Sequence, residues 1–200
     1  MKILLIATNN EHKFEEIKGI LNDIPFELLS LKELNYGKEI VEDGKTFEEN
    51  AIIKAKQVGK DTGYLTVADD SGLVVDALDG RPGVYSSRFG GENSDDYIYK
   101  MSLILDELKG IEDAQRTARF VCVAVLHSPY TNACRVVKGV VNGRIAMEIH
   151  GANGFGYDPI FIPEGYNRTF GELNPEIKAS ISHRYKAFSK IKNLLLKGGI

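Results

Sequence analysis

Residues 2 to 7, Lys-Ile-Leu-Leu-Ile-Ala, are apolar from Ile3 onward, a run too short to cross a bilayer, and polar Thr8-Asn9-Asn10 ends it abruptly. Directly behind that break, Phe14, Ile17 and Leu21 recur at helical spacing over residues 11 to 22. A fully buried strand that passes straight into an amphipathic helix demands a sheet covered by helices, so this one junction already selects the α/β class. The run is also too short for a secretion signal, and the strand reading is preferred.

The rest of the chain keeps alternating. Thr46-Phe47-Glu48-Glu49 has the form of a capping box, and Phe47, Ala51, Ala55 and Val58 then repeat at helical spacing up to Gly63. Residues 65 to 68 and 73 to 76 read as short strands on either side of Asp69-Asp70-Ser71-Gly72, a composition suited to a tight turn. An irregular stretch follows Arg81-Pro82-Gly83, and Ser94 is placed to cap a helix with Ile98, Leu105 and Leu108 facing the core. Residues 117 to 127, 134 to 141 and 144 to 149 are β-rich, and Asn142-Gly143 is the strongest hairpin signal. A last helix, capped by Ser182, carries Ala187, Phe188, Ile191, Leu194 and Leu195 as one stripe. With no repeat or linker in 200 residues, the expectation is one domain over 1–200: a two-lobed α/β fold around a long mixed, partly antiparallel sheet flanked by helices.

Composition narrows the function classes. The longest apolar run, Phe120 to Leu126, is far below the ~20 residues of a membrane helix, so no membrane partner is expected. There are 25 basic and 28 acidic residues and no long basic run, which argues against nucleic acid as a partner. Two cysteines in apolar runs and four scattered histidines offer neither a disulfide framework nor a zinc site, and they suit a cytoplasmic location.

Several segments can carry chemistry, and each has a plain structural alternative. Thr8, Asn9, Asn10 and Lys13 stand at a helix start, where free backbone N–H groups make an anion site; alternatively Thr8 or Asn9 only caps the helix. Glu42 is one acidic candidate, and the adjacent Asp69 and Asp70 repel one another, a cost that a metal ion or a cationic side chain offsets; magnesium needs only one or two carboxylates, so Glu42 with Asp70 would suffice. An ordinary Asx turn explains Asp69-Asp70 equally well, and Glu49 is accounted for by the capping box. In Gly154-Phe155-Gly156-Tyr157-Asp158-Pro159, aromatics between glycines suit stacking on a flat ligand, or else plug the core. Lys178, His183 and Arg184 gather cations and donors near a helix start, for a phosphate or purine edge or simply as surface charge.

Taken in order, these segments resemble the inosine triphosphate pyrophosphatase family, also described as XTP/dITP diphosphatases. The resemblance runs through Thr8-Asn9-Asn10 with Lys13, Gly44 to Ala51, Ala68 to Leu73, Gly80 to Ser86 with Arg88-Phe89, Phe155 to Pro159 and Ser182-His183-Arg184. It implies an enzyme that cuts inosine- and xanthosine-type purine triphosphates to monophosphate and pyrophosphate, with Mg2+ as cofactor, as a homodimer. It further implies that Thr8 to Lys13 hold the triphosphate, that Glu42 and Asp70 hold magnesium, and that Asp70 accepts the proton of the attacking water. Lys13 and Lys178 would neutralise phosphate charge. Ser71 and Gly156 join the substrate-binding set, Phe155 would stack on the base, and Tyr157, Asp158, His183 and Arg184 would shape the pocket at its edge. Donors near His183 and Arg184 would donate to the position-6 oxygen of hypoxanthine and be left unpaired against the amino group of adenine. Where the family often has glycine after Ser-His-Arg, this chain has Tyr185. The competing readings are a Maf-type pyrophosphatase acting on pyrimidine or modified nucleotides, which Phe155 to Pro159 and Ser182 to Arg184 argue against, and a non-catalytic nucleotide- or RNA-binding module.

Overall fold

A computed structural model describes residues 2–91 and 96–198. Its six-stranded sheet has the order β2-β1-β3-β4-β5-β6. Here β1 is Lys2–Ile6, β2 Phe26–Ser30, β3 Leu65–Val75, β4 Thr117–His127, β5 Cys134–Ile145 and β6 Phe161–Pro163. β1 pairs in parallel with β2 and β3, while β5 and β6 are antiparallel, so the sheet is mixed as expected. The helices are α1 (Glu11–Ile20), α2 (Phe47–Thr62), α3 (Tyr97–Glu107), α4 (Pro175–Ile181) and α5 (His183–Leu196). Among the described residues no helix is long and apolar enough to cross a membrane.

The chain divides into two compact units, and it passes from one to the other within β3, β4 and β5 and again between α4 and α5. The first unit comprises Met1–Asp70, Cys122–Gly139 and His183–Ile200. Its core joins Leu4 and Ile6 of β1, Ile17 and Leu21 around α1, Val67, Ala124 and Leu126, and the α5 stripe of Ala187, Phe188, Ile191 and Leu195. Fully burying one such Phe or Leu side chain stabilises by about 1.5–3 kcal/mol, which is why the stripe reads so clearly in sequence. The α2 capping box forms as expected, with the Thr46 side chain accepting from the Glu49 N–H and the Glu49 carboxylate from the Thr46 N–H. α2 ends at Gly63 in the left-handed conformation, φ 72°.

The second unit comprises Ser71–Val121 and Val140–Ser182. It is built around Leu73, Val75, Met101, Ile104, Phe120, Phe161 and Phe170, with the Phe120 and Phe161 rings 4.6 Å apart. Arg116 is buried there and donates to the carbonyls of Leu108, Ile145 and Ala146. These bonds satisfy a carbonyl just past α3 and two at the end of β5.

Several local expectations are corrected. Asn142-Gly143 is not a turn: β5 runs through it, and Gly143 pairs with Pro163. A Cβ at Gly143 would overlap the Ile162 carbonyl oxygen, so this glycine serves close strand approach. The β4–β5 connection lies instead at residues 128–133, where Asn132 has φ 56°. Residues 144–149 form no strand of their own, since β5 ends at Ile145. Asp69-Asp70-Ser71-Gly72 is likewise not a turn but the middle of β3. Ser94 lies outside the described residues; the side chain that caps α3 is Asp96. Ile98 is exposed, and Met101 and Ile104 form the buried face with Leu108. The strands β2 and β6 and the helix α4 add to the elements foreseen.

Candidate active site

In the first unit, β1 gives way through Thr8-Asn9-Asn10 to α1, and this loop is tied by its own side chains. The Thr8 hydroxyl accepts from the Asn10 N–H at 3.1 Å, and the Asn10 side-chain oxygen accepts from the Lys13 N–H at 3.0 Å. Asn10, rather than Thr8 or Asn9, is therefore the cap of α1. Thr8, Asn9 and Asn10 line a cavity of about 890 Å3 with Phe14, Lys18 and Tyr36. Lys13 is not a solvated cation: its Nζ lies 3.1 Å from Asp69 Oδ2, on the neighbouring strand β3.

The two consecutive aspartates of β3 project to opposite sides of the strand and meet opposite surroundings. The Asp69 side chain is wholly buried, with Lys13 at 3.1 Å and the Arg184 Nε at 3.8 Å. Burial alone would raise its pKa, but Lys13, Arg184 and Lys54 outweigh that and hold the carboxyl far below the usual range. These cations favour the ionised form of Asp69. Asp70 is shifted the other way: burial raises its pKa, the nearby Glu42 carboxylate adds to the shift, and Lys54, Lys13 and a hydrogen bond from Asn50 oppose it. The Asn50 Nδ2 donates to Asp70 Oδ2 at 3.1 Å.

Lys54 completes this cluster. Its Nζ lies 3.0 Å from Glu42 Oε2 and donates to the Asp69 carbonyl at 3.0 Å. Sequence reasoning did not single it out. The available signal was polar spacing, because Asn50 and Lys54 sit four residues apart on α2, next to the apolar pair Ala51 and Ala55, and both are buried.

Glu42 and Asp70 fit a magnesium ion in their chemistry. Both offer the hard carboxylate oxygens that magnesium prefers, they lie close enough for Glu42 to act on the ionisation of Asp70, and the ammonium of Lys54 already sits against Glu42 where a cation would be attracted. No group of three or more His, Cys, Asp or Glu side chains is gathered for a metal among the described residues. Magnesium does not need one, because substrate phosphates and waters complete its shell.

His183 and Arg184 open α5 in the same unit, and both are buried rather than surface charges. The Arg184 guanidinium forms an ion pair with Glu16 of α1 besides facing Asp69. Arg184 therefore sits in a buried ionic network and does not present a free guanidinium edge to solvent. Gly139 of β5 makes this packing feasible, since a Cβ there would overlap the His183 carbonyl oxygen.

In the second unit, Gly154 to Pro159 is a closed loop. Asp158 Oδ2 accepts from the Phe155 N–H at 2.8 Å and from Lys178 Nζ at 2.6 Å. Gly154 has φ 75°, and a Cβ on it would strike that same carboxylate. Gly156 also has positive φ, 67°. The Lys178 ammonium lies 4.4 Å from the centroid of the half-buried Phe155 ring. Lys178 belongs to α4, the helix before α5, and is buried, which corrects its placement as a charge at the α5 start. Tyr157 is part of the core: its ring stands edge-on to Tyr97 at 5.3 Å and its hydroxyl donates to the Ser86 carbonyl at 2.8 Å. It does not form a ligand-facing edge. Asp158 holds Lys178 and the Phe155 backbone, and Ser71 is half-buried on β3.

Known proteins match nearly the whole chain. The Ham1 family model matches residues 4–194. A dITP/XTP pyrophosphatase of Bacillus subtilis (strain 168) is 48% identical over 195 residues, covering 98% of both chains. One from Dictyoglomus thermophilum is 45% identical over 202 residues, covering 99% of this chain and 98% of that one. Among solved structures, a HAM1 protein from Coxiella burnetii aligns over 98% of this chain and all of that one, with a TM-score of 0.89 and 39% identity. The Ham1 protein of Staphylococcus aureus does so with the same coverage, a TM-score of 0.88 and 38% identity. Similarity that runs from end to end, in sequence and again in backbone, makes this chain a member of the Ham1 family.

Proposed function

We propose that the chain hydrolyses inosine- and xanthosine-type purine nucleoside triphosphates, ITP, dITP and XTP, to the monophosphate and pyrophosphate, and so clears them from the nucleotide pool. The observation that carries this reading is the close set of Glu42, Asp70, Lys54 and Lys13 by the start of α1, in a chain matched end to end by proteins named dITP/XTP pyrophosphatases.

The division of labour follows from the local chemistry. Thr8, Asn9 and Asn10 and the first turn of α1 offer backbone and side-chain donors to phosphate oxygens. Lys13 and Lys54 meet the charge that builds on the departing pyrophosphate, and Asp69 keeps Lys13 aimed. Asp70 accepts the proton of the attacking water, for which its raised pKa makes it a better base than an ordinary aspartate. Mg2+ held by Glu42 and Asp70 would supply Lewis-acid polarisation of the phosphate and a more acidic water. In the second unit, Phe155 stacks on the base, on a loop fixed by Gly156, Asp158 and Lys178, with Ser71 in the substrate-binding set. His183 supplies a donor that favours a position-6 oxygen over the adenine amino group, and Arg184, held by Glu16 and Asp69, fixes the start of α5 that carries it. Residues 1–200 act as one enzyme domain, which works as a cytoplasmic homodimer.

Product analysis tests the reaction. Incubation with dITP and magnesium gives dIMP and pyrophosphate in equal amounts, read by anion-exchange chromatography and 31P NMR. Release of orthophosphate with dIDP would overturn the proposal.

A further inference from the structure

Two carboxylates can share an ion only if their separation is fixed, yet Glu42 and Asp70 lie on different segments. Glu42 belongs to a stretch without regular structure ahead of α2, whereas Asp70 is in β3. One side chain links both segments. The Asn50 side-chain oxygen accepts from the Gly44 N–H at 2.8 Å, two residues beyond Glu42, and its Nδ2 donates to Asp70 Oδ2 at 3.1 Å. Because an amide has one acceptor end and one donor end, the Gly44 N–H fixes which end faces Asp70. Asn50 is 1% exposed, so water does not replace either bond readily.

Gly44 is fitted to this link. A Cβ on Gly44 would stand 2.6 Å from Asn50 Oδ1 and 2.7 Å from the Glu49 Cβ, so any side chain there pushes the amide away. One helical turn further along α2, Lys54 holds the Glu42 carboxylate itself. The same helix face therefore grips the Glu42 segment at two points and Asp70 at one.

We infer that Asn50, set by Gly44, is the positioning residue that holds Glu42 and Asp70 at the separation required to share a divalent cation. The inference rests on the reading of Glu42 and Asp70 as the metal carboxylates. Asn50 does not touch the ion; it acts through Asp70 and the Gly44 backbone. Loss of a hydrogen-bonding support behind a metal ligand weakens metal binding by roughly 10–100-fold.

The test compares Asn50→Leu, Gly44→Ala and the double variant with wild type, using Mn2+ alone as the probe and reading bound ion by electron paramagnetic resonance on the full chain without nucleotide. Each single variant is expected to weaken Mn2+ binding by about tenfold or more. The Mg2+ concentration for half-maximal turnover should rise in parallel, while KM for dITP at saturating Mg2+ stays within about threefold. The double variant should be no worse than the weaker single, because both changes break one link. Unchanged Mn2+ binding in Asn50→Leu, with binding lost in Glu42→Gln and Asp70→Asn, overturns the inference and leaves the metal reading intact. Unchanged binding in Glu42→Gln and Asp70→Asn overturns the metal reading itself. Effects that multiply in the double variant also overturn the inference, since they mean two separate roles. If Asn50→Leu fails to fold, Gly44→Ala alone decides, because it displaces the amide with Asn50 still present.

Discussion

Adjacent aspartates at positions 69 and 70 should respond in opposite ways to the same conservative change. Asp69→Asn removes a wholly buried anion from between Lys13 and Arg184. Breaking a buried ion pair by deleting one partner typically costs about 3–5 kcal/mol, because the remaining charge stays buried. Arg184 keeps Glu16, and the Lys13 side chain retains 17% exposure, so the low end applies, about 3 kcal/mol. For a chain of this size that is a fall in Tm of about 6–12 °C. Asp70→Asn instead removes a carboxylate whose ionisation is resisted by burial and by Glu42. Without metal it should leave stability within about 1 kcal/mol of wild type or raise it, while turnover drops by orders of magnitude.

The two changes also differ in their pH dependence. Asp69 has a depressed folded pKa, so its contribution is present above the unfolded value of about 3.9 and is lost as pH falls below it. The deficit of Asp69→Asn should therefore shrink in acid. Asp70 has a raised folded pKa, so its contribution is present below about pH 3.9 and lost as pH rises through the folded value. Asp70→Asn should gain on wild type above that point. Urea melts from pH 3 to pH 8 in EDTA measure both, and a constant m-value would show that the denatured state is unchanged. A loss below 1 kcal/mol in Asp69→Asn, or a larger loss in Asp70→Asn than in Asp69→Asn, would refute the assignment of their surroundings.

Three further changes probe other parts of the account. Glu42→Gln should cut turnover by orders of magnitude with the melting curve nearly unchanged, since Glu42 is only partly buried; steady-state rates beside a thermal melt check this. Tyr157→Phe should cost about 1 kcal/mol through the lost bond to the Ser86 carbonyl and leave KM for dITP within twofold, as expected of a core ring and not of a pocket wall. Gly143→Ala should destabilise by about 1–3 kcal/mol in a urea melt, because β5 and β6 must part to admit the methyl group; a neutral result would restore the turn reading of Asn142-Gly143.

The sequence displayed those parts of the fold whose cause is local. The Thr46–Glu49 capping box, the α5 stripe and the buried first strand each depend on residues within a few positions of one another, so spacing reveals them. Gly143 misleads because a glycine that admits a neighbouring strand and a glycine that turns the chain are written with the same letter; only the partner, Ile162, tells them apart. Asp69 and Asp70 look like a turn because two aspartates are rare inside a strand. What makes them tolerable is distant in sequence: Lys13, Lys54 and Arg184 for one, Asn50 for the other. Pattern picks out the candidate residues but not their surroundings. Tyr157 is core, Arg184 is part of a buried network and Lys54 is drawn to Asp69, and contacts that span 15 to 168 residues leave no mark on local spacing.

Initial rates of pyrophosphate release from dITP, XTP, ITP, dATP, dGTP, dTTP and UTP, each with and without magnesium, test the central claim most directly. The account predicts kcat/KM for dITP, ITP and XTP that exceeds that for dATP and the pyrimidine nucleotides by several orders of magnitude, and no turnover once the metal is chelated. Comparable rates on dTTP or UTP, or turnover that survives chelation, would contradict it.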